Sequence, residues 1–176
     1  MACHFPVAAA KCSRAIMNQL DSLQFREVMG RFPTGVAVVC ARAHGSSVWG
    51  VTVNSFTSVS LDPPLILVCI DRAAASHDKL TTAQTFAISV LAEDQDDIAK
   101  RFALEPPETR FDDVAWRGAS DGSPVLEGAA AWLECETNGV MPGGDHSIVL
   151  GRVSASGCSD RGALLFFAGA YGRVVT

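Results

Sequence analysis

The stretch Gly50–Pro64, GVTVNSFTSVSLDPP, decides how this chain is read. Its even positions carry Thr52, Asn54, Ser58 and Ser60, while odd positions carry Val51, Val53, Val59 and Leu61. Alternation with a period of two predicts a β-strand with one dry face and one face of small hydrogen-bonding groups. The run Asp62-Pro63-Pro64 stops it, because proline brings no N–H to a strand ladder. Such a face suits a planar, polar-edged ligand laid against a sheet and held by side chains and free backbone amides. The same residues also suit a strand that faces solvent, where β-branched and hydroxyl residues are ordinary. Periodicity alone leaves both readings open.

Outward from this strand the pattern stays β. Gly35 to Ala41, GVAVVCA, reads as a buried strand, and His44-Gly45-Ser46-Ser47 as the turn that returns it antiparallel. LILVCI at 65–70, Phe86 to Leu91, Ala129 to Thr137, His146 to Ser154 and Leu164 to Ala168 supply further strands, with a turn at Pro142-Gly143-Gly144-Asp145. Three short helices are expected. Leu23, Phe25, Val28, Met29 and Phe32 recur at helical spacing over 22–31, capped by Asp21 or Ser22 and ended by Pro33. Ser76 is placed to cap a helix running to about Gln84. Asp94 and Asp97 open a third, with Ile98 and Phe102 four apart on its inward face and Lys100 and Arg101 at its end. Residues 105–123 carry Pro106, Pro107, Gly118 and Gly122 without periodicity and read as a long loop. Strands without strand–helix alternation argue for an antiparallel barrel with helices at its ends, not a doubly wound sheet.

Composition narrows the function. A chain of 176 residues fits one domain with a proper core, read as 21–176 behind a loose tail at 1–20. Hydrophobic residues make up 48% of the chain, so either the core is generous or a partner covers part of the surface. With 14 Lys and Arg against 19 Asp and Glu, and no basic cluster, the surface that nucleic acid requires is missing. No run reaches the length of a membrane span, and the N-terminus does not read as a signal peptide. A cytoplasmic protein with no membrane or nucleic-acid partner is expected. The six cysteines, Cys3, Cys12, Cys40, Cys69, Cys135 and Cys158, form no C-x-x-C pair and are expected to be free thiols.

Most catalytic signatures are absent: no G-x-G-x-x-G after a strand, no G-x-x-x-x-G-K-[ST], no G-x-S-x-G and no H-E-x-x-H. His4, His44, His77 and His146 lack ligand spacing, so no metal site is expected. Three weaker features remain. Gly143-Gly144-Asp145-His146 puts a reachable histidine at the mouth of a strand, or a merely solvated one in a hairpin. Arg101-Phe102 offers a cation beside an aromatic ring, or a core phenylalanine beside a surface arginine. Ser76 and Lys79 at a helix start are candidate phosphate contacts.

Several stretches together resemble one family. FPTGVAVV (32–39), GVTVNSFTSVSLDPPLILVCI (50–70), FAISVLAEDQDDIAKRFA (86–103), SPVLEGAAAWLECE (123–136), GGDHSIVLGRV (143–153) and LLFFAGAYG (164–172) follow the order seen in short-chain flavin reductases of two-component flavin monooxygenases. NSFTSVSLDPP and GGDH are the specific segments. The resemblance implies an antiparallel split β-barrel, mainly β with short helices, binding FMN or FAD in a homodimer. It implies NADH as reductant, with NADPH possible, and a separate flavin-dependent monooxygenase that receives reduced flavin. It also implies flavin contacts at Thr34, Thr52, Val53, Asn54, Ser55, Ser58, Val59 and Ser60, with Ser76, Lys79, Arg101 and Phe102 on the phosphate side. His146 and Asp145 would meet the nicotinamide nucleotide. No protein side chain need act as a catalytic acid or base, because hydride transfer runs between the cofactors. The alternatives are a flavoprotein that keeps FMN tightly and passes electrons elsewhere, and a non-catalytic flavin- or haem-binding barrel.

Overall fold

Val36 to Ala41 are all buried, and they divide by parity between two cores. Ala37, Val39 and Ala41 join Val53, Ile66, Val68, Ile70, Phe86, Ile88 and Val149 in one cluster. Val36, Val38 and Cys40 join Leu91, Phe102, Leu126 and Leu164 in the other. A strand with both faces covered needs an unbroken apolar run, which is what GVAVVCA supplies. The chain is described here from a computed structural model over residues 21–42 and 47–174. The expected tail at 1–20, Cys3, His4, Cys12 and His44 to Ser46 of the expected turn lie outside the described residues.

The elements in order are α1 (Ser22–Met29), β1 (Thr34–Gly35), β2 (Ala37–Arg42), β3 (Val48–Val53), β4 (Thr57–Leu61), β5 (Pro64–Asp71), α2 (His77–Thr81), β6 (Thr85–Val90), α3 (Asp96–Leu104), β7 (Trp116–Gly118), β8 (Pro124–Leu126), β9 (Ala131–Gly143), β10 (His146–Cys158), β11 (Leu164–Phe167) and β12 (Ala170–Arg173). Seven strands form the main sheet in the order β3-β2-β6-β9-β10-β5-β4, and β1-β11-β12 and β7-β8 form two smaller sheets. Every strand pairing is antiparallel. The expected class, mainly antiparallel β with short helices, is what the chain forms.

The long hairpin of β9 and β10 joins the two halves of the main sheet. His146 pairs with Gly143 across a two-residue turn in which Gly144 takes φ +75°, a conformation glycine adopts without steric cost. β10 then pairs with β5 on its other side, setting His146 opposite Asp71.

Several expectations need correction. The platform is two strands, β3 and β4, broken at Asn54-Ser55-Phe56. Its odd face is dry only in the first half: Val53 is buried, but Val59 is exposed and Leu61 is 94% exposed. The break lets β3 leave the β2 edge while β4 pairs with β5 at the far edge of the sheet. The helix α1 forms, capped by Asp21 Oδ1 accepting from Leu23 N, yet none of its residues is buried and Leu23 is 72% exposed. The third helix starts later than expected, with Gln95 as cap and Asp96 and Asp97 in its first turn. Asp94 is instead ion-paired with Arg161. The 105–123 loop contains β7, which pairs with β8, and β12 closes a hairpin with β11 through Ala168 and Gly169, both at positive φ.

Candidate functional site

Ser55 explains why the platform breaks. Thr57 is registered with Leu67, so two residues earlier Ser55 falls beside Cys69. There its hydroxyl substitutes for a backbone partner, accepting from Cys69 N and donating to Cys69 O, each at 3.0 Å. Cys69 is therefore satisfied without Ser55's own amide. The amides of Asn54, Ser55 and Phe56 lie between β3 and β4 and donate to no backbone carbonyl among the described residues. Backbone N–H groups left in this state need a partner from solvent or a ligand.

Asn54 and Ser55 line a cleft of about 170 Å³ whose walls are Val51 to Ser55, Cys69 to Asp71, Ala74 and His146. Thr52, Val53, Asn54, Ser55 and His146, predicted from segments far apart in sequence, thus share one depression. Asn54 is exposed. His146 is 40% exposed, and its Nδ1 lies 2.7 Å from Asp145 Oδ1. The hydrogen bond to His146, followed by its charge, holds the exposed Asp145 carboxyl below its ordinary pKa. Thr52 is partly committed, since its hydroxyl donates to Ala99 O of α3 at 2.8 Å.

Other predicted residues sit elsewhere. Ser58, Val59 and Ser60 lie on the edge strand β4, outside the cleft walls, with Ser58 exposed and Ser60 half-buried. Thr34 pairs with Phe166 in the small sheet, and its Oγ1 is buried without a hydrogen-bond partner. Ser76 is fully buried, donates to Gly50 O at 3.3 Å and accepts from Arg110 Nη1. It makes no side-chain cap bond and has no surface to offer a phosphate. Lys79 is exposed, with its ammonium 5.6 Å from the Trp49 ring centroid.

Arg101 and Phe102 separate, as neighbours on a helix must. Phe102 is fully buried, edge-on to Phe111 at 4.9 Å, and packs so closely on β3 that a Cβ at Gly50 would stand 2.6 Å from its ring. It is a core residue and not a ligand contact. Arg101 donates to Asp112 O and lines the larger depression, about 620 Å³, between α3 and residues 113–115. That depression carries Asp97, Glu105, Asp113 and Glu127 against Lys100 and Arg101, an acidic excess that disfavours phosphate, so size alone does not make it the site.

The flavin ring presents carbonyl oxygens and ring nitrogens along one edge, and the free amides at 54–56 with the Asn54 side chain are donors of the kind such an edge requires. The cleft therefore fits the polar edge of the ring, though at 170 Å³ it is smaller than the roughly 300–1,000 Å³ of an enclosing ligand pocket. Among the described residues no group of three or more His, Cys, Asp or Glu is placed to hold a metal, and no helix is long and apolar enough to cross a membrane. Cys40, Cys69, Cys135 and Cys158 are free thiols.

Two residues near the cleft carried no signal in the sequence. Arg110 falls in the unperiodic 105–123 segment and is only 7% exposed. His77 bonds Ser147, 70 positions away, and local spacing cannot reveal such a pair.

Comparison with known proteins identifies the family of the chain. A family model described as flavin reductase like domain matches residues 29–174. A probable flavin reductase of Rhizobium meliloti is 44% identical over 151 residues, covering 86% of this chain and 48% of its own length, so the chain spans about half of that relative. An NADH-dependent FAD reductase of Streptomyces globisporus is 44% identical over 163 residues, 90% of this chain and 88% of that one. Among solved structures, a Streptomyces globisporus NADH:FAD oxidoreductase in complex with NAD and FAD fragments superposes with TM-score 0.85 at 40% identity, covering 92% of this chain and 98% of that chain. BorF, the flavin reductase component of a bacterial two-component tryptophan halogenase, superposes with TM-score 0.81 at 43% identity, covering 88% and 98%. The matched region takes in every strand from β1 to β12, and the chain belongs to the flavin reductase-like domain family.

Proposed function

We propose that this chain is an NAD(P)H:flavin oxidoreductase that reduces FMN or FAD and releases the reduced flavin to a separate monooxygenase. The observation that carries the reading is the shared cleft, in which the strand break at Asn54 and Ser55 and the histidine at the mouth of β10 line one depression. The flavin accepts a hydride from the nicotinamide when both are bound. The chain's part is to place two rings against one another and exclude water.

Each residue has a role in that placement. The amides of 54–56 and the Asn54 side chain hold the polar edge of the flavin. Ser55, bonded to both the N–H and the carbonyl of Cys69, takes the place a ladder amide would fill and leaves those amides for the ligand. His146, turned by Asp145, meets the nicotinamide nucleotide. Lys79 is an exposed cation on α2, three residues after Ser76. Thr34, Ser58, Val59 and Ser60 belong to this reading only if a second subunit completes the site, since they lie outside the walls of the cleft.

A small open cleft supports loose holding, as an enzyme that gives its flavin away requires. Exposed apolar side chains support a homodimer: Leu61, Val59, Val140, Met141 and the apolar residues of α1 are each exposed. The free thiols suit a reducing compartment such as the cytoplasm. The domain is read as 21–176, with 1–20 as its tail.

One experiment tests the reading. The purified protein should be nearly colourless and should oxidise NADH only when FMN or FAD is added. A yellow protein that retains stoichiometric flavin through gel filtration, or NADH oxidation indifferent to added flavin, would overturn it.

A further inference from the structure

We propose that His77 is a positioning residue for the nicotinamide corner of the cleft, acting through Ser147 on His146. The proposal rests on the assignment of His146 to the nicotinamide nucleotide made above.

His77 opens α2 with its side chain 16% exposed. Its Nδ1 lies 2.8 Å from Asp78 Oδ1 and its Nε2 lies 2.9 Å from Ser147 Oγ. An exposed carboxylate only accepts, so Nδ1 carries a proton, and Nε2 is bonded to the Ser147 hydroxyl, which can donate or accept. Ser147 is 6% exposed and sits one residue after His146 on β10. Successive side chains of a strand point to opposite faces: Ser147 meets α2, and His146 meets the cleft.

Three ties hold this corner. Arg72 N donates to Asp145 O at 3.0 Å, Ser147 pairs with Ile70 of β5, and His77 bonds Ser147. The first two are backbone. On the hairpin side Ser147 faces Pro142 in a non-hydrogen-bonded pair, so the Ser147 backbone groups turn toward β5 and make no bond across the hairpin. The His77 bond is the side-chain tie, the one a substitution can remove. An Asp-His-Ser connectivity of this kind elsewhere activates a serine nucleophile. Here the serine is buried in mid-sheet with strands on both sides, where no acyl group can reach it, and its use is mechanical.

The test is steady-state NADH kinetics with added FMN, alongside FMN titration, on the full chain. His77→Ala should raise KM for NADH about two- to tenfold, the range of one neutral hydrogen bond, with kcat and flavin Kd held within about twofold. Ser147→Ala should give the same rise and the double variant no more. His77→Gln, whose amide can still meet Ser147 Oγ, should recover most of the loss. Ser147→Ala carries the test alone if His77→Ala does not fold. An unchanged KM for NADH in a folded variant, or an equal loss of flavin affinity, overturns the positioning role. His146→Ala separates the two levels. If it raises KM while His77→Ala does not, only the positioning role fails; if it leaves KM unchanged, the parent assignment fails and this proposal with it.

Discussion

Arg110 Nη1 donates to Gly50 O at 2.7 Å, tying the segment after α3 to the outer edge of β3 four residues before Asn54. Gly50 pairs with Cys40 on one side only, because β3 is an edge strand. Its outward carbonyl would be left to water, and here it takes donors from both Arg110 and Ser76. Arg110 Nε also donates to Glu105 O at 2.8 Å, and Nη1 reaches Ser76 Oγ at 3.3 Å. One guanidinium thus joins β3, the residue before α2 and the end of α3. The edge is covered, and the strand that leads into the cleft is fixed.

Removing this fork should destabilise the fold more than it alters chemistry. Arg110→Ala is expected to lower unfolding stability by about 1.5–3 kcal/mol, the range for charge-assisted hydrogen bonds. Arg110→Lys should recover little, since an ammonium lacks the planar fork that reaches three acceptors. Urea denaturation of the three proteins measures it. A midpoint unchanged in Arg110→Ala would remove the clamp.

The exposed apolar residues predict association. Burying a leucine stabilises by roughly 1.5–3 kcal/mol, and Leu61 and Leu23 gain almost none of that within one chain. Sedimentation should give twice 18.6 kDa, and Leu61→Asp should shift the equilibrium toward monomer. A wild-type mass of 18.6 kDa at micromolar concentration would show these residues to be merely exposed.

The fold was legible where two packed faces impose an unbroken apolar run, as in β2 and β6, and in the apolar run of β5, whose residues alternate between buried and half-buried. It was not legible where a chain-distant residue decided the outcome. Phe102 looked available for a ligand because sequence shows no Gly50 beneath it and no Phe111 beside it. Ser76 looked like a cap because sequence cannot show Arg110 arriving from 34 positions away. The break in the platform is itself legible, because Ser55, Phe56 and Thr57 invert the alternation of polar and apolar positions; what the sequence does not show is the Ser55 hydroxyl bonded to Cys69, which ends β3 there. The place of His146 is legible because glycines mark the turn before it, and a turn sets where a strand begins.

Thiol reactivity should follow burial. Burial pushes the Cys135 thiol up to about 12 and Cys40 higher still, and the thiolate is the reactive form. Alkylation of the native protein at pH 8, mapped by peptide mass, should label exposed Cys158 and spare Cys40 and Cys135. Equal labelling of Cys40 and Cys158 in folded protein would contradict the buried core.

His146 and the strand break should separate kinetically. His146→Ala is expected to raise KM for NADH with little change in flavin Kd, because its side chain stands at the mouth of the cleft and not at the free amides. The signature of lost uniform binding is a raised KM with kcat preserved. Equal loss in flavin titration would place His146 on the flavin instead.

The final prediction distinguishes the cleft from the rest of the platform. If flavin lies against residues 54–56, part of its binding comes from backbone amides that no side-chain change removes. Asn54→Ala should therefore weaken FMN and FAD by only about one hydrogen bond, two- to tenfold. Asn54→Leu should do more, since a branched side chain there fills the cleft itself. Ser58→Leu, on the outer strand β4 and beyond the cleft walls, should matter less than Asn54→Leu for a flavin held by one chain. Thr52→Val should chiefly loosen α3, because it removes the bond to Ala99 O while leaving shape almost intact. Titration of both flavins into the four variants, with a melting curve for each, gives the ordering. Ser58→Leu hitting harder than Asn54→Leu would move the flavin out of the single-chain cleft and onto β4, where a second subunit would have to cover it.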